Sequence, residues 1–194
     1  MRKWLPIWVL LALTPVCAMA EDVPTEHKFS AKVSAVRLAT KLVDQGMKLN
    51  ETVTARVPAI VFDKVLVIDD VRDAEETRFP EINRLIDYQK ALICGSPDDI
   101  LSFWHPGERR NKAKTIKDDN RLKAVRNHYT AHPGLEILGI VYQEATASVL
   151  VYMGRYVVGH TFRKEGGEFY LSDAPSDDLQ LAIVEASFSR LPTE

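Results

Sequence analysis

Four side chains, Asp87, His105, His128 and His160, are of the types that act as general acids and bases. Such chemistry needs two groups converging on one reacting atom, and these four are scattered along the chain. His105 precedes Pro106, where an imidazole at a helix end most simply bonds backbone carbonyls. His160 falls near a strand end and is expected at the surface. His128 and His132 have the i,i+4 spacing that places two imidazoles on one helix face, as metal ligands require. Pro133 and Gly134 end the helix there, no Glu follows His128, and no third ligand is apparent. No metal site is therefore expected, and the pair reads as a cationic cap on the helix C-terminus. Tyr142, Tyr152 and Tyr156 fall in strand-like sequence, with Tyr152 and Tyr156 expected on one face by the period of two. The chain carries no Gly-x-Ser-x-Gly elbow, no phosphate loop and no dinucleotide fingerprint. Serine-hydrolase and nucleotide-dependent classes are thereby set aside, and no cofactor is expected.

The chain has 194 residues, 46% hydrophobic and 27% charged, with 25 Lys+Arg against 27 Asp+Glu and a net charge of -2. That composition suits a single folded domain and excludes wholesale disorder. An acidic balance also argues against nucleic acid, whose binders need surplus Lys and Arg. The basic run Arg109, Arg110, Lys112, Lys114 and Lys117 is answered by Asp118 and Asp119, so it reads as a solvated helix face.

Met1-Arg2-Lys3, an uncharged apolar run over 4–16, and Ala18-Met19-Ala20 before Glu21-Asp22 have the layout of a secretory signal cleaved after Ala20. The run is too short to span a bilayer, which takes about 20 residues. Export to the periplasm follows. Cleavage would leave 174 residues and 23 basic against 27 acidic side chains, a net charge of -4, with Cys94 as the lone cysteine. A single thiol makes no internal disulfide, and Cys94, at an apolar helix end, is expected to be buried. No later apolar run reaches membrane-spanning length, so no integral membrane segment is expected after cleavage.

The elements that must position these groups follow from periodicity. Residues 21–57 read as an extension of open structure, because 29–49 fits both a helical stripe and a strand alternation. Pro58 opens β-branched sequence to Ile68. Phe79-Pro80 starts a helix whose face is Ile82, Leu85, Ile86, Leu92 and Ile93, with Gly95 as its stop. A capped helix over 98–104 and a third over about 110–129 follow. Beyond Gly134 the period becomes alternating, which predicts strands over 135–144 and 147–161 and a third around the Gly166-Gly167 hairpin. Asp177-Asp178 caps a terminal helix. Helices followed by strands joined through short turns predict an α+β fold with an antiparallel sheet, and a domain over 58–194.

Residues 79–171 resemble the nuclear transport factor two-like superfamily, which includes SnoaL-like domains. The likeness rests on the helix ending Lys90-Ala-Leu-Ile-Cys-Gly95, on Ser96-Pro-Asp-Asp-Ile-Leu-Ser-Phe-Trp-His-Pro-Gly-Glu-Arg109 after it, and on the later meander. The resemblance implies a cone in which three helices pack on a curved antiparallel sheet. It also implies a pocket lined by Tyr88, Trp104, His105, Tyr142, Tyr152 and Tyr156. A non-catalytic periplasmic module binding a small ligand or an envelope protein is the leading expectation. A SnoaL-like lyase, isomerase or hydrolase using His105 with Asp87 or Tyr152 is the alternative, as is an assembly partner forming a homodimer through its sheet.

Overall fold

Alternation of apolar and polar side chains sets the first strand, β1 (Thr25–Lys32), in which Phe29 and Ala31 are buried and Lys28, Ser30 and Lys32 exposed. In this computed structural model, which describes residues 23–173 and 178–189, the proposed signal segment lies outside the described residues. The two patterns over 29–49 both apply in turn. The strand ends at a 3₁₀ turn over Val33–Ala35, and the helical stripe becomes the short α1 (Ala39–Asp44), which buries Leu42. β2 (Thr52–Ile68) is a single 17-residue strand. Pro58 lies inside it, paired opposite Glu26, so position 58 is not a structural boundary.

Four helices follow: α2 (Pro80–Cys94), α3 (Pro97–Ser102), α4 (Arg109–Ile116) and α5 (Asp119–Ala131). Pro80 opens α2, and Ser96 and Asp99 form a reciprocal capping box on α3. The stretch expected as one helix over 110–129 is two. Asp118 interrupts it by accepting hydrogen bonds from the backbone N–H groups of Asn120 and Arg121, which starts a new helix. Cys94, expected to be buried, is exposed on the last turn of α2.

The meander is β3 (Leu135–Gln143), β4 (Thr146–Met153), β5 (Tyr156–Glu165) and β6 (Glu168–Leu171), and α6 (Leu179–Phe188) follows. Gly166 and Gly167 both have positive φ and make the expected hairpin. A second hairpin turns at Gly154, φ 70°, and splits the strand expected over 147–161. Tyr152 pairs with Val157 and Met153 with Tyr156. Directly paired residues share a face, so Tyr152 and Tyr156 lie on opposite faces.

The six strands form one antiparallel sheet in the order β1-β2-β3-β4-β5-β6. Between Val61 and Leu66 the β2–β3 register slips, and Phe62 from the displaced stretch stacks on Phe79 with ring centroids 5.2 Å apart. A Cβ on Gly139 would collide with the Ile60 carbonyl oxygen at this irregularity. One sheet face packs Ile137, Ile140, Val149 and Phe162 against Ile82, Leu85 and Ile86 of α2. The other packs Phe29, Val57, Leu150 and Val157 against α6.

That second helix is not amphipathic. Leu181, Ala182, Ile183, Val184, Glu185 and Ala186 are all buried, which requires neighbours on every side. α6 touches β1, β2 and β5. Strands four places apart in a flat sheet would be about 19 Å apart, well beyond the width of one helix. The sheet must therefore curl around α6. The α+β class holds, with helices on both faces of the sheet and not three on one.

Glu185 is the polar exception in that buried helix. Its carboxylate accepts from Arg37 Nε at 2.7 Å and from the Gly159 backbone N–H at 2.9 Å. Replacing Glu185 with Ala strips a buried donor of its acceptor, and a loss of about 2 kcal/mol is expected by chemical denaturation. Glu185→Gln keeps an acceptor for Gly159 and should lose less than half as much. Equal losses from the two would show that the charge, and not the backbone bond, matters.

Candidate functional site

The residues expected to line a cup meet only in part. On α2, Tyr88 packs against Phe103 and edge-on against Trp104, with centroids 5.8 and 6.2 Å away. Lys112 Nζ sits 3.8 Å above the Trp104 ring and pairs with Asp173. Burial pushes the Tyr88 phenol far above its ordinary range, partly offset by the nearby Trp104 indole. The Trp104 Nε1 itself is buried and reaches no acceptor in hydrogen-bonding geometry. These rings form a packed knot, and neither Tyr88 nor Trp104 lines any of the three grooves described below.

His105 is committed to structure. Its Nδ1 accepts from the Gly107 N–H at 3.3 Å, which leaves Nε2 to donate to Glu165 at 3.0 Å. Its backbone N–H donates to the Leu171 carbonyl, and Leu171 N–H donates to Phe103. Glu108 completes the clamp by accepting from Ser172 Oγ and the Asp173 N–H. The loop after α3 is thus laced to β6. Asp87 is exposed on α2. Tyr156 is exposed, beside Met153 and Val158, which are exposed as well.

Tyr142 faces the buried Glu81 at the start of α2, and burial and that carboxylate together push its phenol up to about 12. It also lines a shallow groove of about 670 Å³ with Arg56, Arg163 and Gln180. A third depression of about 560 Å³ runs along the displaced stretch of β2 beside Arg78 and Phe79.

The largest of these three grooves, about 760 Å³, opens where α5 ends over the tips of β2, β3 and β4. Its walls include Val67, Ile68, Leu135, Val151 and Met153, with Tyr129 and Tyr152. Its polar groups are Asp69, Gln89, His128, His132 and Glu136. His128 and His132 lie side by side, centroids 5.3 Å apart, and His132 caps α5 with its N–H on the His128 carbonyl. Among the described residues, no cluster of three or more His, Cys, Asp or Glu side chains could hold a metal.

Gln89 is the residue that sequence reasoning passed over. It is 2% exposed, and its Oε1 is buried with no hydrogen-bond partner. The signal was present: Gln89 stands four residues after Leu85 and three after Ile86, a polar side chain inside an apolar stripe. Asp69, Tyr129 and Glu136 were also missed, because only the fold brings a strand end, a helix end and a strand start together.

His160, expected at the surface, is on β5 opposite the fully buried Val149, and its Nε2 is buried without a partner. Burial lowers its imidazole from 6.5 to about 4. No protein-family model, curated protein or solved structure matches this chain.

The His160 environment predicts acid sensitivity. The folded chain refuses a proton that the unfolded chain takes up below about pH 6.5, so stability falls as pH drops from 6.5 towards 4. The loss should reach about 3 kcal/mol at the bottom of that window. Asp70, held down at about 2 by Arg72, loses its own contribution only at lower pH. Denaturant titrations of His160→Phe should show a flattened slope between pH 6.5 and 4, and an unchanged slope would refute the assignment.

Proposed function

We propose that this chain is an exported, non-catalytic module that binds a small molecule in the groove between the end of α5 and the tips of β2, β3 and β4. The observation that carries this reading is Gln89, a residue of the groove lining that is 2% exposed and whose Oε1 is buried without a hydrogen-bond partner. An unsatisfied buried acceptor is worth about 1–3 kcal/mol of destabilisation, which a ligand donor would relieve. The groove's volume also lies within the range that holds organic ligands, roughly 300–1,000 Å³.

Several features support binding over chemistry. His105 is held by Glu165 and Gly107, and Asp87 is exposed on α2. His128 and His132 line the groove, yet among the described residues neither ring nitrogen has the orienting hydrogen bond that a working imidazole base uses. Export is supported by the cationic start, apolar run and Ala18-Met19-Ala20 of the leading segment. Among the described residues, no helix is long and apolar enough to cross a membrane. The order of α2 to α5 before the β3–β6 meander supports the nuclear transport factor two-like reading, from which α6 on the opposite sheet face departs.

A second reading, docking of an envelope protein, is favoured by the exposed apolar side chains Met153, Tyr156 and Val158 beside the groove. Native mass spectrometry of protein purified from its own envelope separates the two. A retained small molecule is expected, and Ala131→Trp, which fills the groove from an exposed helix position, should abolish it while leaving Tm within about 2 °C. A retained polypeptide would support docking, and bare protein would count against both readings.

A further inference from the structure

We infer that the groove takes an amphipathic cation, a protonated primary amine carried on an apolar body. This deepens the reading above and rests on it. Among the sixteen side chains and backbone segments that form the groove, two are carboxylates, Asp69 and Glu136, and none is Lys or Arg. The groove also receives the C-terminal end of α5, through Ala131 and His132. The last carbonyls of a helix carry about half a negative charge between them. His132 N–H satisfies the His128 carbonyl, and among the described residues the Tyr129, Thr130 and Ala131 carbonyls accept no backbone hydrogen bond.

Gln89 points the same way independently. Its Oε1 is buried without a partner and can only accept, so what it lacks is a donor. An ammonium group supplies three donors and a charge that both carboxylates and the helix end favour. A carboxylate ligand would bring a fifth set of acceptors to a site that already has four. The groove also has apolar lining: Val67, Ile68, Leu135, Val151 and Met153 would cover a hydrocarbon chain or ring. The ligand thus has a donor-rich head and an apolar tail.

Isothermal titration calorimetry with three probes of one chain length tests this: octylammonium, 1-octanol and octanoate. Octylammonium should bind at least about ten-fold tighter than 1-octanol, the size of a charge-assisted hydrogen bond, and octanoate should not saturate. Glu136→Gln, an exposed and conservative change, should weaken octylammonium about three-fold or more and leave 1-octanol unchanged. Gln89→Leu keeps the volume of the buried side chain and should weaken octylammonium about ten-fold. Octanoate or octanol binding as tightly as the amine would overturn the cationic ligand while leaving the groove as a binding site. If no probe saturates, or if Ala131→Trp leaves binding intact, the groove itself is refuted as the site.

Discussion

The fold depends on burying α6 inside the curl of its own sheet. Six consecutive residues of that helix are out of water, and a helix with no solvent-facing side needs partners all round. β1, β2 and β5 supply them, which bends the sheet and fixes which face is left for the remaining helices. Glu185 makes the arrangement specific. It is the polar group within the buried run, and it ties the segment after β1, through Arg37, to the first half of β5, through Gly159. That half of β5 extends beyond its pairing with β6, and the Glu185 carboxylate and Ser189 Oγ accept from its Gly159 and Val157 N–H groups.

With one face of the sheet wrapped on α6, helices α2–α5 lie on the other, and their packing decides where space remains. At the α3–β6 side the Trp104 backbone bridges to Leu171, His105 and Glu108 bond across, and Tyr88, Phe103 and Trp104 pack together. At the other end α5 stops at His132-Pro133-Gly134, because proline cannot continue it, and the chain turns directly into β3. The Val71 N–H bonds the Pro133 carbonyl and holds the end of β2 beside that turn. The groove is the gap between a stopped helix and three strand tips. Its polar lining comes from whatever those ends carry.

Much of this was legible in the residues. Pro80, Gly95 and the Ser96–Asp99 capping box mark helix ends through local geometry, and Gly166-Gly167 marks a hairpin through the positive φ that glycine alone adopts freely. Other readings failed for equally local reasons. Gly154-Arg155 is a hairpin turn between two apolar strands, and an alternation that continues through it reads as one long strand. Asp118 capping its own helix was hidden within a polar stretch. Cys94 was expected inside because its neighbours are apolar, yet its place on the last turn of α2 faces water. His160 was expected outside because it is polar, yet its strand partner is Val149 in the core.

Sequence by itself determined the class of the fold and most of its elements, since caps, turns and periods act over a few residues. It also held the anomaly at Gln89, a polar side chain in an apolar stripe, though not its meaning. Tertiary structure alone decided that α6 lies inside the sheet's curl, that the aromatic residues Tyr88 and Trp104 pack against one another, and that Asp69, Gln89, His128 and Glu136 share one groove. The physical reason is separation along the chain. Those contacts join residues of different elements, from 8 to more than 60 positions apart, and no local propensity says which strand tip a helix end will meet.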